Sequence, residues 1–279
     1  MNTPLFALLR PALRLAGLAA IVFASMPASS AEPSVRIGGT GSGTGGMQVL
    51  AKAFMAQTTG STVVVLPAVG SAGGISAVID GRLDLALSNR QPNDKELAQG
   101  GLTTIEYART PFVVALHRNL EITALTSDQL AALYGAGAVV FPNGKRARPV
   151  LRLSDAGDTR LLASFSPAVG AALEAASIRP GMLNANTDSE AADMIEKTPG
   201  AFAVSTLALI QSEARPLTAL SIDGMRPSVE NLASGAYPYY KTLYLISGSA
   251  AGSQAKAFVA FVQSDAGRKL LTANGHWVR

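Results

Sequence analysis

Three stretches of the chain combine glycines, hydroxyl side chains and an arginine in a pattern that suits anion binding. Residues 38–46 read Gly-Gly-Thr-Gly-Ser-Gly-Thr-Gly-Gly, residues 69–74 read Val-Gly-Ser-Ala-Gly-Gly, and residues 88–90 read Ser-Asn-Arg. Glycines let a ligand approach backbone N–H groups closely, hydroxyls donate hydrogen bonds, and a guanidinium offers two parallel donors to an oxyanion. A fourth stretch, residues 151–160, adds two arginines, two aspartates and a threonine. We interpret the four stretches as parts of one oxyanion site, whose candidate ligands are Thr40, Gly41, Ser42, Gly43, Ser71, Ser88, Asn89, Arg90, Arg152, Asp158 and Thr159.

Each candidate also has an ordinary structural alternative. Ser71 can cap a helix, Arg90 can be a solvated surface charge, and Asp158 can cap the helix that follows it. Their common position favours binding, because each stretch lies at the end of a predicted strand. In open α/β sheets, ligands bind beyond the carboxyl ends of the strands.

The elements that would position these residues alternate between strand and helix. Residues 102–117 read as extended, and Pro111 is expected to interrupt that strand. The alternation predicts an α/β fold with mainly parallel sheets and helices on both faces. Apolar or β-branched runs predict strands at 35–37, 62–68, 84–88, 149–153, 201–205 and 239–247, and the spacing of apolar residues predicts helices at 44–57, 75–79, 127–134, 159–165, 191–197, 253–262 and 265–273.

Other chemistries lack the residues that they need. The chain has no cysteine, and its two histidines, His117 and His276, are far apart in sequence, so we predict no metal site and no thiol nucleophile. The glycines of residues 41–46 match a dinucleotide fingerprint, but the next strand ends in Leu-Pro-Ala rather than in an acidic residue. No Gly-Lys-Ser/Thr sequence occurs, and neither Ser42 nor Ser71 stands in Gly-x-Ser-x-Gly. We therefore predict a binding protein without cofactor rather than an enzyme.

The N-terminus has the layout of a secretory signal. Two arginines precede an apolar run at residues 15–24, and small residues follow up to Ala31, after which we expect cleavage. The run is shorter than the roughly 20 residues that span a bilayer. Residues 1–31 contain Arg10, Arg14 and no acidic residue, so cleavage lowers the net charge from +4 to +2. We predict a periplasmic protein, and this near-neutral charge argues against nucleic acid as a partner.

In the order and spacing of these stretches, the chain resembles the PstS-type phosphate-binding proteins of bacterial ABC transporters. Residues 39–43 and 70–74 look like the family's two anion loops, residues 88–90 lie where it has a Ser-Asp or Ser-Arg pair, and residues 152–159 lie where it has an arginine followed by a Ser-Gly-Thr helix start. Residues 258–267 resemble its C-terminal helix pair. The resemblance implies a monomer that delivers its solute to an inner-membrane ABC permease.

The same resemblance implies a two-lobed fold, the type II periplasmic binding protein. Each lobe is a mainly parallel sheet flanked by helices, and the lobes close on a dehydrated oxyanion. The first lobe would comprise residues 32–116 and 241–279, and the second residues 117–240, with hinge strands near Leu116 and Lys241.

Two departures from the family pattern bear on the ligand. Phosphate at neutral pH still carries a proton and needs an acceptor, but the family's usual Asp is Asn89 here, and Gly157-Asp158-Thr159 replaces Ser-Gly-Thr. Asp158 is therefore a candidate replacement acceptor, unless the ligand is not phosphate. We predict capture of a tetrahedral oxyanion, phosphate first, for uptake or sensing. The alternatives are sulfate, molybdate, tungstate or an organophosphate in the same fold, and a secreted phosphate-ester hydrolase, for which we can name no nucleophile–base pair.

Overall fold

The structure is a computed structural model, and it describes residues 34–99, 101–137, 139–141, 144–152, 156–249 and 251–279. The predicted signal at residues 1–31 lies outside this part of the chain. The strands are β1 (Ser34–Gly39), β2 (Thr62–Val65), β3 (Leu85–Ser88), β4 (Thr103–His117), β5 (Ala124–Leu125), β6 (Arg148–Arg152), β7 (Leu183–Ala185), β8 (Ala201–Thr206), β9 (Leu217–Ala219), β10 (Ser221–Ile222) and β11 (Tyr240–Ser247).

Helices occupy most of the connections between these strands. Among the described residues, no helix combines the length and the apolar character that crossing a bilayer requires. The helices are α1 (Gly41–Gln57), α2 (Gly70–Ile79), α3 (Asp94–Ala98), α4 (Ser127–Tyr134), α5 (Ala156–Ala163), α6 (Pro167–Ser177), α7 (Asp188–Lys197), α8 (Leu207–Ser212), α9 (Val229–Ser234), α10 (Ser253–Gln263) and α11 (Asp265–Ala273).

The main sheet is mixed, with parallel pairing at its two ends and antiparallel pairing in the middle. Its order is β2-β1-β3-β11-β4-β8-β6-β7, with β9 also pairing with β4. β1 is parallel to β2 and β3, and β6 is parallel to β7 and β8, as short strands joined by helices should be. β11 and β4 are antiparallel to each other and to their outer neighbours. The predicted α/β fold is confirmed, and the central antiparallel strands make the sheet mixed rather than mainly parallel.

The buried apolar residues form separate cores on either side of the middle of β4. Tyr107 and Ala108 belong to a core built from residues 35–108 and 243–271. Phe112 and the residues after it in β4 belong to two cores that are built from residues 112–222. A single strand therefore passes from one set of packed helices to the other.

The prediction that Pro111 interrupts β4 is wrong. Up to Pro111 the strand pairs with β11, and from Phe112 onward it pairs with β8 on its other side. Proline lacks the N–H that a ladder requires, and here it stands where the strand changes partners. The phenolic oxygen of Tyr237 donates to the Phe112 carbonyl at 2.6 Å and supports the chain beside it.

Several helices begin earlier than the apolar spacing predicts. α1 begins at Gly41 rather than at residue 44, α2 begins at Gly70 rather than at 75, and α7 begins at Asp188 rather than at 191. Glycine disfavours helix interiors by about 1 kcal/mol relative to alanine, so a glycine-rich start reads as a loop. In α1 the first turns are buried, and close packing outweighs this penalty. The last two helices, α10 and α11, lie where they were predicted.

Candidate functional site

The glycine-rich stretch after β1 forms the first turn of α1, and its hydroxyls point at a carboxylate. The chain turns at Gly39, whose φ is 142°. Only glycine fits there, because a Cβ would lie 2.0 Å from the Leu87 carbonyl oxygen. Thr40 precedes the helix, but its side chain makes no capping hydrogen bond. Instead, Thr40 Oγ1 and Ser42 Oγ donate to Oδ2 of Asp188, over 3.2 and 2.9 Å.

Asp188 is the first residue of α7, which follows the short strand β7. Its other oxygen, Oδ1, lies 2.8 Å from Lys241 Nζ and 3.6 Å from Arg152 Nη1. Burial by itself raises the pKa of the Asp188 carboxyl, but Lys241 and Arg152 outweigh it, and the pKa lies well below its ordinary value. Asp188 is therefore a fixed anion at neutral pH.

Lys241 is the second residue of β11, and it joins two carboxylates. Its Nζ lies 2.6 Å from Asp158 Oδ1 and 2.8 Å from Asp188 Oδ1, and 5.6 Å from the centre of the Phe112 ring. Burial alone would lower the pKa of Lys241, but the two carboxylates raise it above its ordinary value. The ammonium is therefore charged although its side chain is 4% exposed.

Arg152 ends β6 and completes the cluster. Its Nε lies 3.8 Å from Asp158 Oδ2, and its Nη2 donates to the Asn186 carbonyl at 3.3 Å. Its side chain is 5% exposed. Two carboxylates and two cations thus sum to zero charge in a buried site. Pairs of this kind persist only when every member is matched, since a lone buried charge costs several kcal/mol.

Glycines bring α1 unusually close to the helices that face it. A Cβ on Gly41 would lie 2.7 Å from Ser189 Oγ and 2.9 Å from the Ser189 backbone nitrogen. A Cβ on Gly45 would lie 2.3 Å from Ser212 Oγ in α8. These approaches are closer than side-chain carbons tolerate. The glycines of this stretch therefore allow close helix–helix contact, in addition to any approach of a ligand to the backbone.

The remaining candidates form a second network beside α2 and α3. Ser71 Oγ donates to Asn89 Oδ1 at 2.7 Å and accepts from the Asn89 backbone N–H at 3.1 Å. Ser88 Oγ donates to the Arg90 carbonyl at 2.5 Å. The Arg90 guanidinium donates two hydrogen bonds of 2.7 Å to the Glu96 carboxylate, and this arginine lowers the pKa of Glu96.

The predicted convergence of the clamp residues is therefore reached in part. Thr40, Ser42, Arg152 and Asp158 meet around Asp188 and Lys241, with Gly41 and Gly43 in the same helix start. Ser71, Ser88, Asn89 and Arg90 form the second network, and Arg90 is paired with Glu96 instead of reaching the cluster. Thr159 is exposed on α5. That each of these residues binds a ligand stays a prediction.

Asp188 and Lys241 belong to the cluster, but no sequence motif assigned them to the site. Lys241 could have been found, because it is the single charged residue of the predicted strand 239–247. Asp188 follows β7, which runs parallel to β6, but the sequence 186–188, Asn-Thr-Asp, reads as a helix cap. Only the tertiary arrangement brings it to the hydroxyls of α1.

The histidines are engaged away from the cluster. His276 is buried with its Nδ1 3.1 Å from the Leu271 carbonyl oxygen, and burial lowers its pKa to about 4. His117 Nδ1 accepts from the Asn119 backbone N–H at 3.2 Å. Within the described ranges, no group of three or more histidine, cysteine, aspartate or glutamate side chains could hold a metal ion.

Comparison with known proteins places the chain among binding proteins. The model of the PBP superfamily domain matches residues 26–266. The chain is 26% identical, over 244 residues, to the phosphate-binding protein PstS of Bacillus subtilis, covering 84% of this chain and 78% of that protein.

Solved structures of low sequence identity share the fold. A Clostridium perfringens substrate-binding protein whose structure contains bound phosphate has a TM-score of 0.70 at 19% identity, covering 88% of this chain and 100% of that one. The periplasmic molybdate-binding protein of Azotobacter vinelandii has a TM-score of 0.63 at 15% identity, with the same coverage. At these identities the likeness extends to the fold alone.

Proposed function

Since the chain belongs to the PBP superfamily, we propose that it is a solute-binding protein that captures a tetrahedral oxyanion, with phosphate as the first candidate. The relative in Bacillus subtilis is named a phosphate-binding protein, and the Clostridium perfringens structure contains phosphate. The matched domain covers most of the chain, so the proposal concerns the whole binding unit.

One observation supports oxyanion binding most directly. The hydroxyls of Thr40 and Ser42, together with Arg152 and Lys241, converge on the two oxygens of one carboxylate. Hydroxyl donors at the start of a helix, together with two cations, are the groups that recognise phosphate and related anions. The cluster therefore has the donors that an oxyanion requires.

The lobes, location and partner form one connected proposal. Residues 35–108 with 243–271 would form one lobe and residues 112–222 the core of the other, so we place the crossing on β4 at Arg109–Pro111, somewhat before Leu116. The second crossing lies near Lys241. We propose a monomer that is exported to the periplasm and serves an inner-membrane ABC permease, in keeping with PstS-type relatives.

The identity of the oxyanion follows from the carboxylates beside the cations. Asp158 and Asp188 would repel an anion that carries no proton, such as sulfate, whereas monohydrogen phosphate can donate its proton to a carboxylate. Phosphate is favoured over sulfate on this ground, and Asp158 keeps its proposed role as the acceptor. Molybdate carries no proton at neutral pH and is disfavoured on the same ground as sulfate, but it is kept as the second anion to test because the Azotobacter vinelandii protein with the same fold is a molybdate-binding protein.

Calorimetric titration of the purified, extensively dialysed protein with phosphate, sulfate and molybdate tests the proposal. We expect saturable binding of phosphate and weakening of that binding by 30-fold or more in Arg152→Gln, since a buried guanidinium would be lost from the anion. Arg148→Gln is the matched control, because Arg148 lies on the same strand but is exposed. Circular dichroism verifies that each variant is folded. If no oxyanion binds the parent protein or the variants described below, the proposed function is wrong.

A further inference from the structure

The site described above already holds an anion that is part of the chain. Asp188 Oδ2 accepts from Thr40 and Ser42, and its Oδ1 faces the two cations. A carboxylate and a phosphate or molybdate present the same kind of oxygen acceptor to such donors. We propose that Asp188 is a tethered competitor of the solute, so that an oxyanion binds by displacing this carboxylate from the hydroxyls of α1. This inference rests on the proposed function and adds the residue that sets its affinity.

Counting donors supports competition rather than joint binding. Each hydroxyl has a single proton to donate, and those of Thr40 and Ser42 are both directed at the same oxygen of Asp188. These hydroxyls can donate to a solute oxygen only after their hydrogen bonds to Asp188 have broken. Monohydrogen phosphate has one proton, which Asp158 is proposed to accept, so an Asp188 carboxylate left in place would face an unprotonated oxygen of the anion where water is excluded, which is strongly unfavourable.

Charge supports the same conclusion. Two carboxylates balance Arg152 and Lys241, so the cluster as it stands offers no net attraction to an anion. Moving Asp188 away leaves one carboxylate, Asp158, against two cations. The cluster then carries one positive charge, which matches an anionic solute.

The bonds of Asp188 also join the two parts of the molecule. Thr40 and Ser42 belong to the segment whose core includes residues 35–108, whereas Asp188 and Arg152 belong to the segment between residues 112 and 222. A solute that links the same donors takes over this role. The Asp188 carboxylate therefore acts as an internal substitute for the solute. The apparent affinity for the solute is lowered because the hydrogen bonds and ion pairs of Asp188 must break before the solute binds.

Neutralising Asp188 while keeping its size tests the inference. In Asp188→Asn, we expect phosphate to bind at least tenfold more tightly than to the parent protein, equivalent to about 1.4 kcal/mol. Asp188→Ala, which also removes the polar group, should change affinity in the same direction. Asp193→Asn is the control, because Asp193 lies on the same helix, is 44% exposed and pairs with Lys197 and Arg215 at the surface. It should bind phosphate as the parent does.

A measurement on the parent protein covers the case in which neither variant at residue 188 folds. Hydrogen exchange of the amides at the start of α7 should become faster, or stay unchanged, when phosphate is added, because Asp188 leaves its partners. Slower exchange there would mean that the solute binds with Asp188 in place, and would overturn the inference.

The two proposals fail in different ways. If the parent protein binds phosphate and both folded variants at residue 188 bind it equally or more weakly, Asp188 is not a competitor, although the protein is still an oxyanion-binding protein. If the variants bind phosphate, sulfate or molybdate and the parent does not, both proposals stand. If neither the parent nor the variants bind any of the three anions, both are wrong.

Discussion

Replacing Gly45 by alanine should separate the effect of helix propensity from that of helix contact in α1. The new methyl group would lie 2.3 Å from Ser212 Oγ and 2.6 Å from Glu213 Cγ. Neither neighbour moves without loss, because Ser212 Oγ donates to the Ala208 carbonyl at 2.6 Å and Glu213 accepts from Arg215 at 2.7 Å.

The matched control for this change is Gly170→Ala in α6. Gly170 also lies within a helix, but a Cβ there would meet Ala163 at 3.6 Å, which is ordinary van der Waals contact. Both substitutions gain about 1 kcal/mol of helix propensity. Only Gly45→Ala adds an overpacking cost of about 1–3 kcal/mol. The difference between the two free energies of unfolding therefore measures the cost of forcing α1 away from α8.

Urea denaturation gives the two free energies, and small-angle X-ray scattering of the folded variants gives the radius of gyration. We expect Gly170→Ala to be more stable than the parent and Gly45→Ala to be less stable than Gly170→Ala by about 1–3 kcal/mol. We also expect a larger radius of gyration for Gly45→Ala, because α1 and α8 belong to different cores. Equal stabilisation of both variants with unchanged scattering would refute the close contact.

Two further changes test the charges of the molecule. Lys241→Met should lower the free energy of unfolding by about 3–5 kcal/mol, because Asp158 and Asp188 would lose their common cation. The added change Asp158→Asn should recover part of this loss. If urea denaturation shows no recovery in the double variant, the pairing is contradicted. Burial lowers the pKa of His276 from 6.5 to about 4, so the unfolded chain binds the proton first as the pH falls. The contribution of His276 to the free energy of unfolding is therefore complete above pH 6.5. It is lost progressively as the pH falls from 6.5 through 4, by up to about 3 kcal/mol. His276→Gln should not show this loss in urea titrations at a series of pH values, and parallel pH profiles for both proteins would contradict it.

The sequence predicted the part of the side-chain cluster that depends on single strand ends. Thr40, Ser42, Arg152 and Asp158 lie at or just after the ends of strands and were placed correctly near one another, because β1 and β6 direct their carboxyl ends toward the middle of β4 from opposite sides. Arg90 also follows a strand, but its partner is Glu96, six residues further on in a capping box. A local carboxylate thus pairs with this arginine, and binding of a ligand by Arg90 stays a prediction.

What the sequence did not reveal depends on contacts between distant residues. The partner of the α1 hydroxyls, Asp188, is 146 residues away from Ser42. The glycines of α1 read as a loop because their intrinsic preference opposes a helix. They are required because α7 and α8 pack too closely against α1 to leave room for a Cβ. Pro111 was read as a break for a similar reason, since the exchange of strand partners at that position is a property of the whole sheet.

The division of the cores along β4 also has a consequence for how the chain folds as it is synthesised. The cores beyond Phe112 draw on one uninterrupted stretch, residues 112–222. The other large core needs residues 35–108 and also residues 243–271, near the C-terminus. Shorter loops close at lower entropic cost, and contacts between distant residues form slowly. The middle of the chain can thus complete its packing first, whereas the core around α1 can form only after β11, α10 and α11 have been synthesised. A truncation before β11 should leave the earlier half without a partner for its apolar surface, exposed to chaperones and proteases, while the 112–222 segment retains its own interior.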